Sequence, residues 1–220
     1  MAGSIALAAA RCATLLAALA AAGSSSAQEH VRGTVMSLEG DVLKVQIAAG
    51  KVQELRLAPD AGVALVDRAD LGGIVPGSFI GTTAVPGPGG KLRAVEVHVF
   101  PESMRGVGEG HRPWDLKPGS SMTNATVAGV TGAKGPGSMT NATVAKVSGD
   151  GGARTLRLEY KGGEQTVDVP AGVPVVKLEL GDRSALLPGA HVFVIAARAA
   201  DGTLTAQRLS VGRNGVVPPM

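Results

Sequence analysis

Six short segments of the chain recur in the same order about 112 residues downstream, and this duplication constrains the fold more than any other feature. Val31-Arg32-Gly33-Thr34-Val35 has a counterpart in Thr143-Val144-Ala145-Lys146-Val147, and Leu43-Lys44-Val45 in Leu156-Arg157-Leu158. Leu55-Arg56-Leu57 matches Val167-Asp168-Val169, and Gly62-Val63 followed by Val66 matches Gly172-Val173 followed by Val176. Pro76-Gly77-Ser78-Phe79-Ile80 matches Pro188-Gly189-Ala190-His191-Val192, and Gly90-Lys91-Leu92-Arg93-Ala94 matches Gly202-Thr203-Leu204-Thr205-Ala206. The offset stays between 110 and 113, and the gaps fall at Gly, Pro and Asp clusters. One match is noise; six in order, with the apolar phase kept, indicate a duplicated unit.

Each copy alternates apolar and polar residues with a period of two, as strands do when one face meets the core and the other meets water. Leu156 and Leu158 alternate with Arg154, Arg157 and Glu159, and Leu92, Ala94, Val97 and Val99 with Lys91, Arg93, Glu96 and His98, with one slip. Turn signals separate the runs at Glu39-Gly40-Asp41, Gly149-Asp150-Gly151-Gly152, Lys161-Gly162-Gly163 and Asp201-Gly202. Gly and Pro make up about a fifth of the chain, which favours short strands and many turns over long helices. Five or six strands in about 70 residues fit a small closed barrel, which also removes exposed sheet edges. The expected class is all-β: two tandem small antiparallel OB-like barrels, at 28–100 and 139–212, joined by a long irregular connector over 101–138 and followed by a tail over 213–220.

Residues 1–27 read as a signal peptide. The run Cys12–Ala22 is apolar and uncharged, Arg11 is the only charge, and Ser25-Ser26-Ala27 places small residues where signal peptidase cuts. Arg11 and Gly23-Ser24-Ser25-Ser26 cut the run short of a membrane span. The mature chain is then an exported protein, periplasmic or secreted, with no transmembrane segment. Cys12 leaves with the leader, so the mature chain has no disulfide, thiolate metal site or Cys nucleophile. The net charge of +3 falls to +2, too little to argue for nucleic acid. The few aromatics also supply no stacking platform for bases.

The connector holds the only tryptophan, Trp114, in Arg112-Pro113-Trp114-Asp115-Leu116-Lys117-Pro118-Gly119. A Trp between prolines stacks on a ligand or pins the connector to a barrel by burying its ring. Trp114, Arg112 and His111 are the candidate ligand-binding residues. His98, His111 and Met104 are the candidate metal ligands, with copper or zinc as the cofactor, since imidazole and thioether suit those ions. The plain alternatives are an exposed strand residue for His98 and a loop residue for His111. Ser121–Ala128 recurs unchanged as Ser138–Ala145, an offset of 17, and the later copy is expected to open the second barrel. Both copies contain an Asn-Ala-Thr glycosylation acceptor pattern, which is common by chance.

No Gly-x-Ser-x-Gly elbow, Walker loop or His-Glu-x-x-His is present, and Asp67, Asp70 and Asp182 sit in charged turns. An enzyme is therefore not expected.

Val31–Val35 with Gly40–Val45, the stretch Gly110–Gly119 through Met139-Thr140-Asn141, and the ending Val211–Met220 resemble exported bacterial proteins of unknown function built from a repeated small OB-like β-barrel domain. The resemblance implies a fold and an exported location but no activity. A metal-transporter label carried by some similar sequences needs membrane spans that this chain lacks. The functional expectation is a non-catalytic binding or envelope-associated protein, its partner an unknown ligand or envelope component; the alternative is a periplasmic metal-binding protein.

Overall fold

The computed structural model describes residues 27–132 and 152–220; the leader with Cys12 and the later copy, Ser138–Ala145, lie outside them. The described residues are all-β, their only helical pieces being three-residue 3₁₀ turns. No helix among them is long and apolar enough to cross a membrane. The strands are β1 (Ala27–Glu39), β2 (Val42–Gln46), β3 (Val52–Arg68), β4 (Phe79–Pro86), β5 (Leu92–Val99), β6 (Gly110–Pro113), β7 (Ser121–Gly132), β8 (Arg154–Tyr160), β9 (Gly163–Val169), β10 (Val175–Gly181), β11 (His191–Arg198) and β12 (Leu204–Gly212).

Period-two alternation places the apolar set of each strand on one face, and two closed pairings result. In the first, β12, β11, β1, β2 and β3 are neighbours in that order, and β3 returns to β12 by a parallel pairing from Arg56 to Val66. Leu43, Val45, Leu55, Val194 and Leu209 fill this five-strand barrel. In the second, β5, β4, β7, β8 and β9 follow one another. This ring closes through two parallel pairs, Leu92 with Val167 and Arg93 with Asp168. Ile80, Val97, Leu156, Leu158 and Val167 fill it. Strand β10 joins the two, antiparallel to β3 and parallel to β5.

The rings are not the tandem units 28–100 and 139–212. The first takes β1–β3 from the first copy and the β11–β12 hairpin from the second; the second takes the β8–β9 hairpin from the second copy, β7 from the connector and the β4–β5 hairpin from the first. The copies have exchanged hairpins. The physical reason lies in the duplication. A hairpin from either copy presents nearly the same apolar face, so the alternation fixes which face is buried but not which copy supplies the partner.

The connector is also more ordered than an irregular 101–138. It contains β6 and all of β7, and β7 begins with the earlier copy, Ser121–Ala128. β6 precedes it by seven residues, and the two form a hairpin, Gly110–Pro113 against Ser121–Asn124, closed by the Trp114 N–H donating to the Ser120 carbonyl at 2.9 Å.

This arrangement predicts the outcome of a deletion. Removing residues 129–145 joins Ala128 to Lys146-Val147-Ser148-Gly149, so Val147 and Gly149 replace Val130 and Gly132 opposite Leu156 and Arg154. The connection to β8 shortens from 21 residues (133–153) to four (150–153). Loop closure then costs about 1.5 kcal/mol less, equivalent to about 3–6 °C in a domain of this size. Calorimetry should show the same cooperative transition at a higher Tm. A lower Tm would mean that residues 129–145 make stabilising contacts.

Candidate functional site

The outer faces of the two rings meet around a cleft of about 630 Å³. The cleft forms because β5 and β12, equivalent strands in the two copies, both turn their polar faces toward it. His98 of β5 and Arg208 and Ser210 of β12 border the cleft, as do Leu178 of β10 and Phe193 of β11. Phe193 occupies the position that Gly81 holds in the first copy. A side chain at Gly81 would stand 2.6 Å from Asn124 Oδ1 and 3.0 Å from Phe100, so the second ring stays bare where the first projects an aromatic.

Trp114 lies where the connector crosses the first ring. Its ring centroid is 4.4 Å from that of His30 on β1 and 6.2 Å from that of Phe193, and the Arg112 guanidinium sits 5.5 Å from its centroid. Asp115 fixes this crossing. It accepts from Arg32 Nη2 at 2.9 Å and from His30 Nδ1 at 2.8 Å. The Arg32 bonds, supported by His30, pull the Asp115 carboxyl down to about 2. Trp114 therefore both pins the connector and lines the cleft, and its indole N–H is buried with no acceptor among the described residues.

The low Asp115 value has a stability consequence. The native carboxyl stays ionised below its ordinary value of 3.8, so its contribution is full above that value and fades as pH falls toward about 2. The side chain is 50% exposed, so solvent screens the interaction to about 1 kcal/mol. Asp115→Asn should lower stability in urea by that amount at pH 7, and the difference should close by about pH 2. An unchanged difference at low pH would contradict this role.

His98 is not an exposed strand residue. It is 2% exposed, and its Nε2 donates to the Pro219 carbonyl at 2.8 Å. Its neighbour Glu96 is 1% exposed, lies 3.4 Å from the same nitrogen and accepts from the Thr83 hydroxyl at 2.5 Å. Burial pushes the Glu96 carboxyl up, against the opposing pull of His98 and Thr83. The tail reaches His98 through Pro219. It forms no strand, but Val216 and Met220 are buried in a third apolar cluster with Val66, Val176, Leu178 and Phe193. Arg213 reaches Asp67 and Glu179, so Asp67 is a paired group rather than a solvated turn charge.

The structure brings Trp114, Arg112, Met104 and His98 to one cleft and leaves His111 outside it. His111 hydrogen-bonds Thr123 at 2.8 Å and stacks near Tyr160, with centroids 6.4 Å apart. No group of three or more His, Cys, Asp or Glu side chains suited to a metal occurs among the described residues. Arg208, Phe193 and Met220 were not legible as site residues. The one usable signal was the breakdown of the repeat, Phe193 standing against Gly81 and Arg208 against Glu96.

Against known proteins, the chain matches no family model, no curated protein and no solved structure.

Proposed function

We propose that this chain is an exported, non-catalytic binding protein whose site is the cleft between two OB-like Greek-key barrels, and that it takes a small, mostly apolar molecule. The cleft carries this reading. Its volume falls within the range of small-molecule pockets, and a mainly apolar wall converges with a few polar groups, as such sites require. The barrel assignment is supported by five strands in each ring, closed by a parallel pairing of β3 with β12 in the first and of β5 with β9 in the second. The exported location rests on the leader pattern of residues 1–27. The copper or zinc reading has less support, because His98 is engaged by the tail and His111 lies outside the cleft.

The test is a titration of residues 28–220 with N-phenyl-1-naphthylamine, a neutral apolar dye, followed by dye fluorescence. Saturable one-to-one binding is expected, weakened at least tenfold by Met104→Glu, which places a charge in the cleft wall. No binding, or equal binding by the variant, would overturn the reading.

A further inference from the structure

One end of the cleft differs from the rest in charge. Arg112 is half-buried there, and its Nη1 donates to the Gly108 carbonyl at 2.7 Å. Its remaining N–H groups meet no acceptor, and no carboxylate lies within ion-pair distance, among the described residues. Arg208 borders the same cleft, is exposed, and is likewise without a carboxylate among the described residues. The other arginines near the inter-ring contact are paired: Arg32 with Asp115, and Arg213 with Asp67 and Glu179. Glu109, the acidic side chain that also borders the cleft, accepts from the Lys161 main-chain N–H at 2.9 Å.

Two cations held near one another without counter-charges are costly, and an anion between them removes the cost. Burial and the charge of Arg208 both lower the basicity of Arg112. A guanidinium pre-placed by Gly108 and the Trp114 face offers a planar fork to a carboxylate, sulfate or phosphate oxygen pair. Away from these groups the wall is Met104, Met122, Leu178, Phe193 and Met220.

We infer that the cleft binds an amphipathic anion, its apolar body against the methionine, leucine and phenylalanine wall and its anionic head on Arg112 and Arg208. This deepens the binding reading above and rests on it. The test uses three probes with the same ten-carbon body and different heads: decanoate, 1-decanol and decyltrimethylammonium. Trp114 emission reports binding, since the chain has no other tryptophan. Decanoate should bind residues 28–220 at least tenfold more tightly than decanol, and decyltrimethylammonium should bind most weakly.

Arg208→Met, at an exposed position that should not disturb folding, should narrow the decanoate preference several-fold. Arg112→Met with Arg208→Met should erase it while decanol binding persists. Equal binding of decanoate and decanol, or a preference unaltered in the double variant, would overturn the anion assignment and leave the apolar site standing. No binding of any of the three probes, together with no binding of the naphthylamine dye, would overturn the site itself.

Discussion

Leu43→Ala and Leu156→Ala should each lower the same single unfolding transition, by about 2–5 kcal/mol. Both side chains are fully buried, one in each ring, at equivalent positions of the two copies. In a tandem arrangement each cavity would weaken its own barrel and leave the other's transition in place. With hairpins exchanged, the first ring joins strands from both ends of the chain and the second ring is inserted between them, while β10 pairs with β3 of one ring and β5 of the other and so couples the two. Calorimetry should therefore record one peak for both variants, with van't Hoff and calorimetric enthalpies in agreement. Two separated peaks, each moved by one variant only, would contradict the coupling.

The second large effect is expected at Gly212. A Cβ there would lie 1.7 Å from the Val216 carbonyl oxygen, a distance backbone atoms cannot tolerate. Gly212→Ala must therefore displace the tail. The displaced tail takes Val216 and Met220 out of the third apolar cluster and removes the Pro219 carbonyl from His98. Two buried side chains are worth about 3–5 kcal/mol, or about 10–15 °C in a chain of this size. Deleting residues 213–220 should cost a similar amount, and adding Gly212→Ala to the deletion should cost almost nothing more. A full additional loss in the deleted chain would show that Gly212 acts elsewhere. Because Met220 lines the cleft, both variants should also bind the naphthylamine dye more weakly.

The strands and their buried faces were legible because alternation is local. Leu43, Val45, Leu156 and Leu158 fall in ring interiors as the pattern requires, and the turns at Gly40 and Gly162, both at positive φ, fall between paired strands. Strand partnership was not legible, since a duplicated sequence supplies two nearly equivalent partners for every edge. The polar faces were misread for a related reason. Alternation marks Glu96 and His98 as facing away from the ring interior, which is correct, but the outside of one ring is the contact surface of the other. Arg112 and Trp114 stood out by residue type, whereas Arg208 and Phe193 reach the cleft only through the exchange that brings β11 and β12 beside β1 and β3. The hairpin that β6 forms with β7 was not legible either, since β6 is a four-residue strand with no apolar alternation of its own.

Hairpin exchange is tested most directly by disulfide trapping. Residues 28–220 contain no cysteine, so introduced pairs report without interference. Gln28 on β1 lies opposite Ala197 on β11, and cross-strand neighbours have the Cα spacing a disulfide needs. In an unexchanged fold Gln28 would face Val85, the first-copy equivalent of Ala197. Mild oxidation of Gln28→Cys with Ala197→Cys should give an intramolecular bond, mapped by peptide mass spectrometry, and Gln28→Cys with Val85→Cys should stay reduced. Trapping of the 28–85 pair, with 28–197 left free, would show that each copy closes on itself.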